Sequence, residues 1–337
     1  MSTIVCFGEI LLRLAAPGLE PLLRSGRLDA QFGGAEANTG ISLAYFGHRA
    51  RLVSTLPDND IGRVCLGELR RHGADVSGIA LQPGRMGLYF YTAPAQLRPA
   101  QVLYDRAGSA FAAADPAAYD WNSLLAGADW LHISGITPAL GQRAADALQR
   151  AVTAARASNV RISFDCNIRP SLWAGRESEA PAIIGTFARS AQLLFGNCTD
   201  IAVLFGGNYA GLAPQEAQMR AAARAFEACP ALDYVTATHR QVHSADHHGL
   251  CAFLSSRHGN AASTVHELNP IIERIGGGDA FAAGILHGLC SGWDLKPCVD
   301  FAAAATALKH TLPGDFNTLS AADVAHLRDG GRLDVRR

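Results

Sequence analysis

The chain carries no excess of either charge: 29 Lys and Arg face 30 Asp and Glu over 337 residues, for a formal net charge of -1 at pH 7, and the basic residues form no cluster. That balance excludes a nucleic acid or an anionic membrane as the expected main partner and leaves a small ligand. No apolar run approaches the roughly 18 residues of a membrane span. The opening Met1-Ser2-Thr3-Ile4-Val5-Cys6-Phe7-Gly8-Glu9 lacks a basic leader and a cleavage site, so the expected compartment is the cytoplasm. The eight cysteines include no C-x-x-C pair and lie mostly in apolar runs, where Cys acts as a small hydrophobe. Neither a disulfide framework nor a zinc site is expected from them. The histidines, His239, His243, His247 and His248 among them, show no H-E-x-x-H or comparable spacing and read as solvated or core residues. A dinucleotide fold wants G-x-G-x-x-G after its first strand, but here Gly8 is followed by Glu9. No internal repeat and no Pro/Ser/Gly-rich linker divides the chain, so one main domain over residues 1–337 is expected.

What is present is a large apolar fraction, 49%, with 18% charged residues, enough to bury a sizeable core. Short apolar runs alternate with helical patterns: Ile4–Phe7 precedes Ala35–Phe46, Arg51–Leu56 precedes Ile61–His72, and Trp130–Ile133 precedes Arg143–Ala157 and then Val160–Asp165. Further strands are expected at Gln192–Phe195, Tyr234–Thr238 and Leu250–Leu254, and helices at Asp279–Leu289, Pro297–His310 and Ala321–Leu327. This order predicts an α/β fold, a three-layer α/β/α sandwich around a mostly parallel sheet. Gly87–Thr92 and Gln101–Arg106 break the pattern as an antiparallel pair, suited to a sheet edge or to a flap over a ligand.

Three constellations carry chemistry. Glu273-Arg274-Ile275-Gly276-Gly277-Gly278-Asp279 runs into a helix, so consecutive backbone N–H groups and the helix N-terminus can converge on an oxyanion or a phosphate. On these residues alone Asp279 is an N-cap or a proton acceptor. Gly33 and Gly34 permit close approach of a ligand to the backbone, or simply a tight turn, with Asn38 one helical turn on to meet sugar hydroxyls. Asp165, Asn167 and Arg169 end a central strand, where open parallel sheets bind ligands. Arg169, and Arg106 beside Tyr104 on the hairpin, can hold a carboxylate or phosphate, or form surface ion pairs.

Phe7-Gly8-Glu9, Gly33 to Asn38, Leu131-His132-Ile133-Ser134-Gly135-Ile136, Asp165 to Arg169, Ile275 to Phe281 and Pro313-Gly314-Asp315-Phe316-Asn317 occur in the order found in one family. The chain resembles the ribokinase-like (PfkB) sugar kinases, most closely their 2-keto-3-deoxygluconate kinase branch. The resemblance implies ATP-dependent phosphorylation of 2-keto-3-deoxygluconate to its 6-phospho product. Asp279 would be the general base, and the N–H groups of Gly276, Gly277 and Gly278 would stabilise charge on the transferred phosphoryl group. It further implies a sugar-acid site of Gly33, Gly34, Asn38, Tyr89, Tyr104, Arg106, Arg169 and Asp315, with the two arginines reading the carboxylate. Nucleotide contacts would come from Asn197, Asp200, Thr238, Arg240, Gly276 and Gly278. Mg²⁺ would be held mainly by ATP and water near Asp200, with a monovalent cation as an additional cofactor. Segments 14–32 and 87–106 would form a β-sheet lid carrying a homodimer contact or one of a higher homo-oligomer. Two segments depart from the family's pattern: Asn197-Cys198-Thr199-Asp200 ends in Asp instead of Glu, and Thr236-Ala237-Thr238-His239-Arg240 replaces the usual glycine-containing nucleotide loop. The alternatives are a fructokinase, a keto-deoxygalactonate kinase, or a sugar-acid-binding homologue with weak catalysis.

Overall fold

The computed structural model describes residues 1–331; the last six residues of the expected domain lie outside the described residues. Among the described residues the strands are β1 (Thr3–Phe7), β2 (Leu11–Ala15), β3 (Asp29–Gly33), β4 (Arg49–Pro57), β5 (Asp75–Gln82), β6 (Gly87–Thr92), β7 (Gln101–Asp105), β8 (Trp130–Ser134), β9 (Arg161–Asp165), β10 (Leu193–Phe195), β11 (Tyr234–Val242), β12 (His248–Ser256), β13 (Gly259–Ala262) and β14 (His266–Leu268). The large sheet runs β13-β12-β11-β10-β9-β8-β1-β4-β5, with β14 also on β12. It is parallel from β11 to β5 and antiparallel at the β12 end.

Strand alternation explains the three layers. Val5 and Phe7 of β1 point into one apolar core with Leu131, Ile133 and Phe164, while Ile4 and Cys6 point into the other with Leu52 and Trp130. Both faces of the sheet are therefore buried, which is why its strands read as continuous apolar runs. Helices Gln142–Ala157, Ala180–Ala188 and Pro214–Ala228 cover the first face. Helices Ala35–Tyr45, Gly277–Cys290 and Leu295–Lys309 cover the second. A Cβ at Gly284 would collide with Ala302, so the glycine lets the helix carrying Asp279 lie close against its neighbour.

β1 is the topological switch point: the chain proceeds outward to β4 and β5 on one side and from β8 to β11 on the other. The register aligns Ser134, Asp165 and Phe195, the last residues of β8, β9 and β10, in a row with Thr236 of β11. Ligand sites of open parallel sheets form beyond such a row.

The small sheet, β3-β2-β6-β7, contains the hairpin expected over Gly87–Arg106 together with β3 and with β2, which begins before the expected segment 14–32. The sequence patterns did not show β2, β3, β5, β13 or β14 as strands. The expected nucleotide loop over Thr236–Arg240 is also corrected: these residues lie inside β11, antiparallel to β12.

Candidate active site

The helix Gly277–Cys290 begins at Gly276, whose φ of 83° is left-handed and whose side-chain space is already taken by the backbone of Asp315 and by Lys309. Only glycine fits that position without strain. No side chain caps the helix, so its first turn presents backbone donors to the cleft. Asp279 is the third residue of the helix, which overturns its reading as an N-cap. Its Oδ2 accepts a 2.6 Å hydrogen bond from Asn38 Nδ2. Asn38 therefore aims the acid, in addition to lining the cleft. Burial raises the Asp279 pKa to about 6, with the Asn38 hydrogen bond and the nearby Arg169 charge limiting the rise.

Arg169 is placed by a short relay. Asn167, at the unusual φ of 36°, donates through its N–H and Nδ2 to the two oxygens of Asp165, and its Oδ1 accepts from Arg169 Nε at 2.9 Å. Asn is among the few non-glycine residues that adopt positive φ readily, and here that backbone turn lets it bond to Asp165 and Arg169 at once. Glu36 approaches from the helix on the other side. Its Oε1 accepts from Ser134 Oγ at 2.5 Å, and its carboxylate occupies the space a side chain at Gly8 would need. Burial raises both Glu36 and Asp165 to about 7; for Asp165 the neighbouring charges of Asp279, Asp200 and Glu36 add to the rise. Acids raised in this way are short of positive charge, and a bound cation would relieve them.

The small sheet is tied to this site by buried ion pairs. Arg13 of β2 donates to Asp315 at 2.7 Å and to Glu273 at 2.5 Å. Burial alone would lower the Arg13 pKa, but Asp315 and Glu273 raise it. Tyr89 of β6 donates its hydroxyl to the other oxygen of Asp315 at 2.6 Å. Arg106 is held by Glu9 through Nε at 2.7 Å and Nη2 at 2.5 Å, and Glu9 also accepts from Ser109 Oγ. The expectation for Arg106 thus needs adjusting, since it already has a carboxylate, whereas Arg169 has no ion-pair partner among the described residues. A side chain at Gly33 would collide with Asp315, and one at Gly34 with the backbone of Glu9. Those glycines serve close packing of lid against body.

The cleft is also lined by the basic residues Arg240 and Arg274. His310 donates from Nδ1 to the Thr306 carbonyl at 2.6 Å, which leaves Nε2 to accept from Arg240 Nη1 at 2.8 Å. Burial and the Arg240 charge lower the His310 pKa to about 3, so the imidazole is neutral. Burial and the nearby Arg274 lower Arg240 to about 10, still charged at neutral pH and with no carboxylate partner among the described residues. Asn197 and Asp200 form a capping box on the helix Cys198–Phe205 while bordering the cleft. Asp200, which stands where the family pattern has Glu, reaches the Asn197 N–H at 2.9 Å.

One cleft of about 520 Å³ brings together Gly34, Asn38, Tyr89, Tyr104, Arg106, Arg169, Asn197, Asp200, Thr238, Arg240, Gly276, Gly278, Asp279 and Asp315. Gly33 and Gly277 are buried and do not line it. Sequence reasoning gave no role to Arg13, Glu36, Lys309 or His310. The available signals were an arginine inside an apolar strand, an acid between Gly34 and Asn38, and a basic pair closing an alanine-rich helix.

The pattern of the pfkB family carbohydrate kinases matches residues 1–321. The chain belongs to that family. A crystal structure of 2-dehydro-3-deoxygluconokinase from Thermotoga maritima superposes with a TM-score of 0.94 at 36% identity, covering 98% of this chain and all of that one. A 2-dehydro-3-deoxygalactonokinase of Haloferax volcanii is 29% identical, over 100% of this chain and 99% of its own length. A 2-dehydro-3-deoxygluconokinase of Thermoproteus tenax is 33% identical over 61% of this chain and 62% of its own. The ribokinase-like architecture expected from the sequence, with its separate small sheet, is thus the fold of this carbohydrate kinase. No helix among the described residues is long and apolar enough to cross a membrane.

Proposed function

We propose that this kinase transfers the γ-phosphoryl group of ATP to the 6-hydroxyl of 2-keto-3-deoxygluconate. The observation that carries the reading is the joint placement of Asp279, an uncapped helix N-terminus and Arg169 in one cleft. Arg169 reads the sugar-acid carboxylate, aided by the edge of Arg106 not used by Glu9. Tyr104 and Gly34 border the carbon chain. The bound substrate presents its terminal hydroxyl to Asp279, which removes the proton as the oxygen attacks the γ-phosphorus. The bond from the γ-phosphorus to its bridging oxygen breaks, and ADP leaves. Backbone N–H groups of Gly276 to Gly278 stabilise the charge on the moving group, and Arg240 and Arg274 face the phosphates. The acids Asp200, Asp165 and Glu36 fit a hydrated Mg²⁺ brought by ATP, which supplies charge neutralisation between the phosphates. The Haloferax relative favours the galactonate epimer as a second reading.

The deciding experiment offers ATP with 2-keto-3-deoxygluconate, its galactonate epimer and fructose to the purified enzyme. The gluconate form should show the highest kcat/KM and fructose almost none; a preference for fructose overturns the sugar-acid reading. ADP release distinguishes turnover from mere binding. Arg169→Leu should raise the KM for the sugar acid much more than that for ATP, and equal effects would remove Arg169 as carboxylate reader. We place the reaction in the cytoplasm, in a homodimer formed through the lid. Leu97 and Leu103 on the lid are 95% and 61% exposed, which supports an apolar contact there.

A further inference from the structure

The antiparallel pair β11–β12 is joined by residues 243–247, and this turn closes on itself: the N–H groups of His243 and Ser244 both donate to the His247 carbonyl, at 3.0 and 3.1 Å. The closure brings the first and last residues of the turn together, with their imidazole rings 4.6 Å apart. Strand β14 then adds a third group. It pairs with β12 in the register Gly249↔Glu267, and Glu267 Oε2 comes within 3.1 Å of His247 Nε2. One ligand atom from each of His243, His247 and Glu267 lies within 4.8 Å of the others. The third partner arrives from a separate strand that local spacing could not reveal.

We propose that His243, His247 and Glu267 form a binding site for a divalent cation of the zinc class. Two imidazoles and one carboxylate are a donor set that borderline metals prefer, whereas Mg²⁺ selects oxygen ligands. Metal–ligand bonds of about 2.0–2.1 Å put tetrahedral ligand atoms ~3.3 Å apart, so the three groups close by no more than ~1.5 Å on binding. His243 and Glu267 are exposed and His247 is partly exposed, so side-chain rotation supplies that movement without disturbing the core. A fourth position remains open to water. The site lies outside the phosphoryl-transfer cleft and does not depend on the proposed substrate.

The turn has a second neighbour. Ala245 N–H donates to the carbonyl of Gln96, in the loop between the lid strands β6 and β7, at 2.9 Å. The Ile271 N–H donates to the Asp246 carbonyl at 2.8 Å. A metal fixing His243 and His247 to β14 holds the turn that the lid loop rests on, so occupancy restrains the lid from outside the active site.

The test titrates the metal-free full chain with Co²⁺, read by its visible absorption, and with Zn²⁺ by calorimetry, using Mg²⁺ as control. The proposal expects one tight equivalent of Co²⁺ or Zn²⁺ in the native chain. The double variant His243→Ala/His247→Ala should bind at least ~100-fold more weakly while melting at the same temperature without metal. Identical titrations of the two proteins, or no uptake by the native chain at about 1 mM metal, overturn the site and leave His247–Glu267 a surface ion pair. Hydrogen exchange supplies the second readout: Zn²⁺ should slow exchange in residues 93–100 and 243–247 of the native chain alone. Binding without that protection overturns the restraint on the lid.

Discussion

The basicity that the proposed role asks of Asp279 is a compromise between burial and two partners. Burial makes its carboxylate a stronger base than an exposed one, and Asn38 and Arg169 keep the proton from binding too tightly. The free kinase should lose kcat/KM as pH falls through about 6, because protonated Asp279 cannot accept the hydroxyl proton; the decline is read from initial rates at fixed ionic strength. Asp279→Ala should depress kcat by at least about 10²-fold with sugar binding nearly intact, as followed by calorimetry and turnover together. Glu36 gives a stability signature of the opposite direction in pH. Its folded pKa, about 7, exceeds its ordinary 4.5, so its stabilising contribution is complete below about 4.5 and is lost as pH rises through about 7. Glu36→Gln keeps an acceptor for Ser134 without the charge. Thermal melts from pH 5 to 8 should therefore show a shallower decline in that variant than in the native chain.

At the scale of elements, the lid sheet is fastened by a residue that its own strand pattern disguises. In Leu11–Ala15 a single arginine sits among apolar neighbours, and nothing local announces that its partners are Glu273 and Asp315, far along the chain. Arg13→Ala leaves two buried carboxylates without their cation and should cost about 3–5 kcal/mol in a denaturant titration. Arg13→Lys, lacking the fork that serves both acids, should recover only part of that loss. The same distance explains what the sequence revealed and what it concealed. Arg169, Asp165 and the glycine turn were visible because strand ends and helix starts leave local patterns. The bond from Asn38 to Asp279, the Arg106–Glu9 pair and the row of strand ends depend on tertiary placement. Strands β2, β3, β13 and β14 are short and partly exposed, and so lack the continuous apolar run by which buried parallel strands are recognised.

For the whole molecule, the alternation of apolar runs and amphipathic helices sufficed to indicate layers and mostly parallel pairing, since each strand must bury both faces. Strand order was not legible, because it follows from long-range packing of the two cores. The near-zero net charge likewise concealed charges that gather by sign in the cleft: Asp165 feels Asp279, Asp200 and Glu36, and Arg240 feels Arg274.

His310 gives that polarity a practical consequence. Because its neutral ring supports Arg240 without cancelling its charge, the Arg240 end of the cleft should take up small anions when no nucleotide is bound. Sulfate and inorganic phosphate should compete with the nucleotide more strongly than chloride at equal ionic strength, raising the KM for ATP while leaving kcat unchanged. His310→Asp would give that end of the cleft a permanent internal counterion, and the difference between those salts should then shrink.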